Sequence, residues 1–288
     1  MLDGRSWISA LPSRLEGQRR ALTALLEFCE SDARVTSLSV GCSLGRGVAD
    51  ELSDVDAAVG VGTARGVPGA ADVRAVEESL VDHLRDRRLV DVERDESSTG
   101  DFLVRRVFCQ YSDGVQLDLA VIAESEVRRG DAAPDFVSLY RADGVVDEAS
   151  LPSAYDVAGD QVRSWAFQGW RALLDADKYL KRGSAWEAHQ RLHEARQRIW
   201  SLWATAQGTS YPWHGLSQVL DQDPTSLPDG IEATVSGLDL VDLRAAVTAS
   251  VSVLDQVSTA AAQRCATTMP TGMAHFAKSV LTAEDETP

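Results

Sequence analysis

The chain has 288 residues, 44% apolar and 25% charged, and a net charge of −16 from 28 basic and 44 acidic side chains. That length suits two domains with cores of their own. The acidic balance argues against nonspecific binding to nucleic acid or to an anionic membrane surface, which needs positive charge, and no apolar run reaches the ~20 residues of a transmembrane helix.

The stretch from Met1 to Pro12 has no continuous apolar segment of the secretory-signal kind. The cysteines, Cys29, Cys42, Cys109 and Cys265, are scattered without a CxxC pair, which disfavours zinc and fits a reducing cytoplasm.

In chain order, Leu15, Leu22, Leu25, Leu26 and Cys29 recur at helical spacing and predict a helix over 12–31. Val35 to Gly41 reads as a strand, a Gly-rich turn comes next, and Val55 to Val61 reads as a second strand. Gly62, Gly66, Pro68 and Gly69 mark a loop over 62–69, and Val73 to Leu84 an amphipathic helix. A strand over 102–111, a turn at Ser112-Asp113-Gly114 and a returning strand from Val115 to Ile122 complete a hairpin.

Pro134, Gly144 and Pro152 place a domain boundary within 130–155. Beyond it, 156–181, 184–207 and 238–264 read as helices. Ser184 with Glu187 three residues on has the spacing of a capping box. The expected fold class is α+β: an α/β domain with a small mixed sheet over 1–150, then an all-helical domain over 151–288. Trp165, Trp170, Trp186, Trp200, Trp203 and Trp213 lie in the helical half, where most are expected to pack between helices.

The chemistry concentrates after the first strand. Gly41, Cys42, Ser43, Leu44, Gly45, Arg46 and Gly47 make a small-residue turn in which backbone N–H groups and the Ser43 hydroxyl can approach a phosphate, with Arg46 to neutralise it. Asp54 and Asp56 stand beyond it at i and i+2, the same-face spacing of a strand. Two adjacent carboxylates repel unless a cation lies between them, and Mg²⁺ takes such hard oxygen ligands together with substrate phosphates. Asp118 stands in an apolar β-forming run, Gln116-Leu117-Asp118-Leu119-Ala120-Val121, where an acid is costly unless paired or metal-bound. Adjacent strands would bring it beside the other two.

Glycine and serine in a turn, then Ser-Asp-Val-Asp, over Gly41 to Val59, resemble the signature of the polymerase-beta-like nucleotidyltransferase superfamily, with Asp118 matching its late-strand acid. The two-part layout is similar to the aminoglycoside and lincosamide nucleotidyltransferase branch. In this chain Cys42 stands where the motif has a glycine before the serine.

The resemblance implies an enzyme that moves a nucleoside monophosphate, AMP from ATP in the favoured case, onto an acceptor hydroxyl with release of pyrophosphate. Asp54, Asp56 and Asp118 would be the metal ligands and catalytic carboxylates, with Asp118 as ligand, general base or both. Gly41, Ser43 and Arg46 would bind the NTP, and Mg²⁺ would be the metal cofactor. The partner would be a small, aminoglycoside-like acceptor, with no nucleic acid and no membrane. The helical half would supply the acceptor site, with Asp175, Asp177, Glu187 and Glu194 as candidate acids for a cationic molecule.

The alternatives are a protein adenylyltransferase of antitoxin type and an inactive nucleotide-binding module. The presence of all three acids disfavours the latter. An Arg182–His189 nuclease pair on one helical face is a weaker reading. His83, His214 and His275 are isolated.

Overall fold

The computed structural model describes residues 3–62, 68–86, 88–99, 102–124, 136–142, 157–209 and 211–282. The chain divides into two compact units, Met1–Ala154 and Tyr155–Pro288. Among the described residues no helix is long and apolar enough to cross a membrane.

The first unit opens with α1 (Gly4–Ala10), capped by the Asp3 side chain, and a 3-10 turn over Ser13–Leu15. Then come α2 (Glu16–Ser31), β1 (Val35–Val40), α3 (Cys42–Arg46), β2 (Val55–Val61), α4 (Ala70–Leu84), β3 (Leu89–Thr99), β4 (Phe102–Tyr111), β5 (Gln116–Ala123) and β6 (Val137–Arg141). The predicted helix over 12–31 is thus shorter, because Pro12 separates α1 from the 3-10 turn and α2. Two strands, β3 and β6, were not expected from the sequence. The predicted loop over 62–69 is described at Gly62, Pro68 and Gly69, which lie outside regular structure. The rest of that loop, and most of the predicted boundary at 130–155, lie outside the described residues.

The sheet has the order β3-β4-β5-β2-β1-β6. It is mixed: β2 runs parallel to β5 and every other neighbouring pair is antiparallel. Strand alternation gives it two faces. Val55, Ala57, Val59 and Val61 of β2 and Leu117, Leu119, Val121 and Ala123 of β5 are buried in one core. That core also takes Leu22, Leu25, Leu26 and Cys29 of α2 and Val73, Val76, Leu80 and Val81 of α4. The opposite, outward face carries Asp56 and Ala58 of β2, Asp118 and Ala120 of β5, and Arg106 and Phe108 of β4, all half-buried or exposed.

The second unit is helical: α5 (Gly159–Lys181), α6 (Ala185–Gln207), α7 (Gly215–Gln222), α8 (Leu240–Arg264) and α9 (Thr271–Leu281). The short helices α7 and α9 were not expected. Its core holds Trp165, Trp170, Leu173, Leu192, Ile199, Leu202, Leu243 and Leu254. Trp200 and Trp203 are partly buried against it, whereas Trp186 and Trp213 are exposed, so the tryptophans divide between core and surface. The Ser184 capping box does not form, since Ser184 makes no side-chain cap hydrogen bond. Gly183, at φ +70°, instead closes α5 through its N–H to the Leu180 carbonyl at 3.0 Å. In this unit a side-chain cap forms at α8, where Asp239 accepts from the N–H groups of Val241 and Asp242.

Candidate active site

The parallel register of β2 on β5 sets Asp56 directly opposite Asp118. Both point outward because Val55 and Ala57, and Leu117 and Leu119, are drawn into the core. Asp54 lies one residue before β2. The chain leading to it is held by α2: the buried Gln18 amide donates to the carbonyls of Ser53 at 2.7 Å and Glu51 at 3.3 Å. Within that approach Asp50 Oδ1 accepts from the Leu52 N–H at 3.0 Å and the Ser53 hydroxyl at 3.1 Å.

The segment expected to be an open turn is a single helical turn, α3. The Gly41 N–H donates to the Asp56 carbonyl at 3.0 Å, which fixes the start of this turn against the acid pair. A Cβ at Gly41 would meet the Phe136 ring at 2.4 Å, so close packing requires glycine there. Gly47, at φ +74°, ends the turn in the left-handed conformation. Ser43 and Arg46 are half-buried in it. Cys42 has φ +53°, a conformation that costs a residue with a Cβ roughly 1–2 kcal/mol. A glycine would adopt it freely, so the departure from the family motif falls at the position where the backbone favours glycine.

Burial raises the Asp56 carboxyl to about 6, and the charges of Asp54 and Asp118 push in the same direction. A hydrogen bond from the Cys42 side chain and the Arg46 charge oppose them. Asp118 has its own counter-ion, the Arg106 guanidinium, whose Nη1 lies 3.3 Å from Oδ1 and 3.5 Å from Oδ2. Sequence reasoning missed Arg106. The signal for it was alternation: in a strand predicted over 102–111, Arg106 shares a face with Phe108, opposite to Arg105.

The three acids supply the hard oxygen donors that Mg²⁺ prefers. They are neighbours through register and charge, but among the described residues no group of three or more His, Cys, Asp or Glu side chains is gathered closely enough to hold a metal ion.

In the helical unit, three of the four acids considered for a cationic acceptor are already paired. Asp175 meets Lys178 at 2.5 Å. The buried Asp177 meets Lys181 at 2.7 Å and Arg244 at 3.1 Å. Glu194 meets Arg191 at 2.7 Å. Glu187 is exposed. The proposed nuclease pair is not on one helix: Arg182 caps α5 and His189 lies in α6.

No protein-family model matches the chain, and no curated protein matches it in sequence. Among solved structures it is similar to an aminoglycoside 6-adenyltransferase from Bacillus subtilis, at 14% identity over 90% of this chain and 97% of that one, with a TM-score of 0.37. It is also similar to a nucleotidyltransferase-like protein from Exiguobacterium sibiricum 255-15, at 12% identity over 84% of this chain and 76% of that one, again with a TM-score of 0.37. Superpositions this loose leave the functional reading to the residues themselves.

Proposed function

We propose that the chain is a Mg²⁺-dependent nucleotidyltransferase that moves a nucleoside monophosphate, AMP from ATP in the simplest case, onto a hydroxyl of a small acceptor. The observation that supports this best is the placement of Asp56 beside Asp118 on the outward face of the sheet, with Asp54 leading into β2. The half-buried, partly repelled Asp56 carboxylate favours a cation nearby. Asp54, Asp56 and Asp118 would hold it. Bound Mg²⁺ would neutralise phosphate charge and polarise the α-phosphorus.

The remaining roles fall to the chain. Ser43 and Arg46, in the turn fixed against β2, would hold the β- and γ-phosphates. Asp118 would take the proton of the acceptor hydroxyl as its oxygen bonds to the α-phosphorus. The bond from that phosphorus to the bridging β-phosphate oxygen then breaks, and pyrophosphate leaves.

The acceptor is the least constrained part. An aminoglycoside-like cation fits the net charge of −16, while the ion pairs of Asp175, Asp177 and Glu194 leave Glu187 as the acid in this set best able to meet it. The test is a panel of hydroxylated acceptors, cationic and neutral, incubated with Mg²⁺ and α-labelled ATP. Pyrophosphate release with label on one acceptor supports the reading. Release that survives unchanged in Asp56→Asn contradicts it.

A further inference from the structure

The outward face has a regular grid. In one row stand Asp56, Asp118 and Phe108, each the register partner of the next; in the row beside it stand Ala58, Ala120 and Arg106. The two alanines form a low floor bounded on one side by the acids and on another by Arg106.

Arg106 has a closer choice of partner in sequence terms. Asp95 of β3 is its direct register neighbour, yet the Asp95 carboxylate accepts from the Glu96 N–H at 2.8 Å and the Arg106 guanidinium reaches diagonally to both oxygens of Asp118. The neighbouring Arg105 shows what a structural arginine looks like in this strand. It is on the other face, 14% exposed, and is bound to the buried Glu77 at 2.6 Å and to Glu96 at 2.7 Å. Arg106 is 56% exposed, and its partner Asp118 is 37% exposed. An ion pair so open to water contributes little to stability and is cheaply broken.

The guanidinium approaches both oxygens of Asp118, so a cation bound there competes with it for the same atoms. A divalent cation arriving at Asp118 would displace the guanidinium by charge repulsion and by occupying its oxygens. The displaced guanidinium would then stand over the alanine floor beside the cation, available to a phosphate of a triphosphate bound there. Its planar fork suits two phosphate oxygens at once.

We infer that Arg106 exchanges partners, neutralising Asp118 in the free chain and binding a phosphate of the nucleoside triphosphate once a cation holds Asp118. This rests on the nucleotidyltransferase reading above and adds a phosphate-binding residue to the same site.

The exchange gives two effects of opposite sign, which a merely structural role would not produce. Calorimetric titration with Mn²⁺ alone should show Arg106→Gln binding the metal about three- to fivefold more tightly than wild type, since its competitor is gone. Titration with the α,β-methylene analogue of ATP in saturating Mg²⁺ should show the same variant binding about tenfold more weakly. Arg106→Lys, which keeps the charge and loses the fork, should fall between wild type and Arg106→Gln in both titrations. If wild type binds Mn²⁺ and Arg106→Gln binds it equally or more weakly, the exchange is wrong and the nucleotidyltransferase reading stands. Equal analogue affinity in wild type and Arg106→Gln also overturns it. If neither protein binds Mn²⁺ or the analogue, both inferences fall.

Discussion

At Cys42 a side chain occupies a backbone conformation suited to glycine, φ +53°, and is hydrogen-bonded to Asp56. Cys42→Gly should relieve the strain, offset in part by the greater freedom of glycine in the unfolded chain, for a net gain of up to about 1 kcal/mol in a urea titration. A loss of stability would mean that the thiol contact outweighs the strain. Asp56 predicts a pH signature. Its folded carboxyl titrates at about 6, above the ordinary 3.8. The protonated form is therefore favoured by folding. Its contribution is fully present below 3.8 and is lost as pH rises through about 6. Asp56→Asn, which cannot ionise, should melt higher than wild type at pH 7.5, and this advantage should shrink between pH 6 and pH 4. A difference independent of pH across that window would show that burial and charge do not raise this carboxyl. The adjacency of Asp56 and Asp118 on one face was legible in the sequence because acids in a β-forming run demand a reason. Arg106 was not, because the diagonal that joins it to Asp118 exists only once β4 and β5 are paired.

At the scale of elements, β2 and β5 were readable as β-forming apolar runs set off by turns, and their parallel neighbourhood is what makes the acid pair. The sheet edges were not readable. β3 carries Asp91, Glu93, Arg94, Asp95 and Glu96, charges that protect an edge strand from pairing with other chains and that erase the apolar alternation by which a strand is recognised. β6 is five residues long and comes after Pro134 within a stretch of weak pattern. The one-turn helix α3 hides for a related reason, since five residues are too few to show helical periodicity. The element that aims Asp54 is α2, through Gln18. Gln18→Ala would leave the carbonyls of Ser53 and Glu51 without that donor. It should cost about 0.5–1.5 kcal/mol in stability, and it should weaken Mg²⁺ binding because Asp54 is no longer held in place. Chemical denaturation with a parallel metal titration checks both. Lost stability with unchanged metal affinity would show that Asp54 is positioned by β2 alone.

At the scale of the molecule, the change of pattern after residue 122 is the sequence feature that suggests a sheet unit followed by a helical one, and the chain forms two compact units, Met1–Ala154 and Tyr155–Pro288. The acids Asp54 and Asp118 add to burial in disfavouring the charged form of Asp56, and a triphosphate brought to the same face needs a cation to offset that charge, which makes metal dependence of nucleotide binding the central claim. The most direct measurement is the affinity of the chain for the α,β-methylene analogue of ATP, titrated in Mg²⁺ and again in excess chelator, with Asp56→Asn as the companion protein. The account predicts binding in Mg²⁺ that weakens at least about tenfold, some 1.4 kcal/mol, both on chelation and in Asp56→Asn. Equal affinity with and without the metal, or an Asp56→Asn variant that binds as well as wild type, would contradict it.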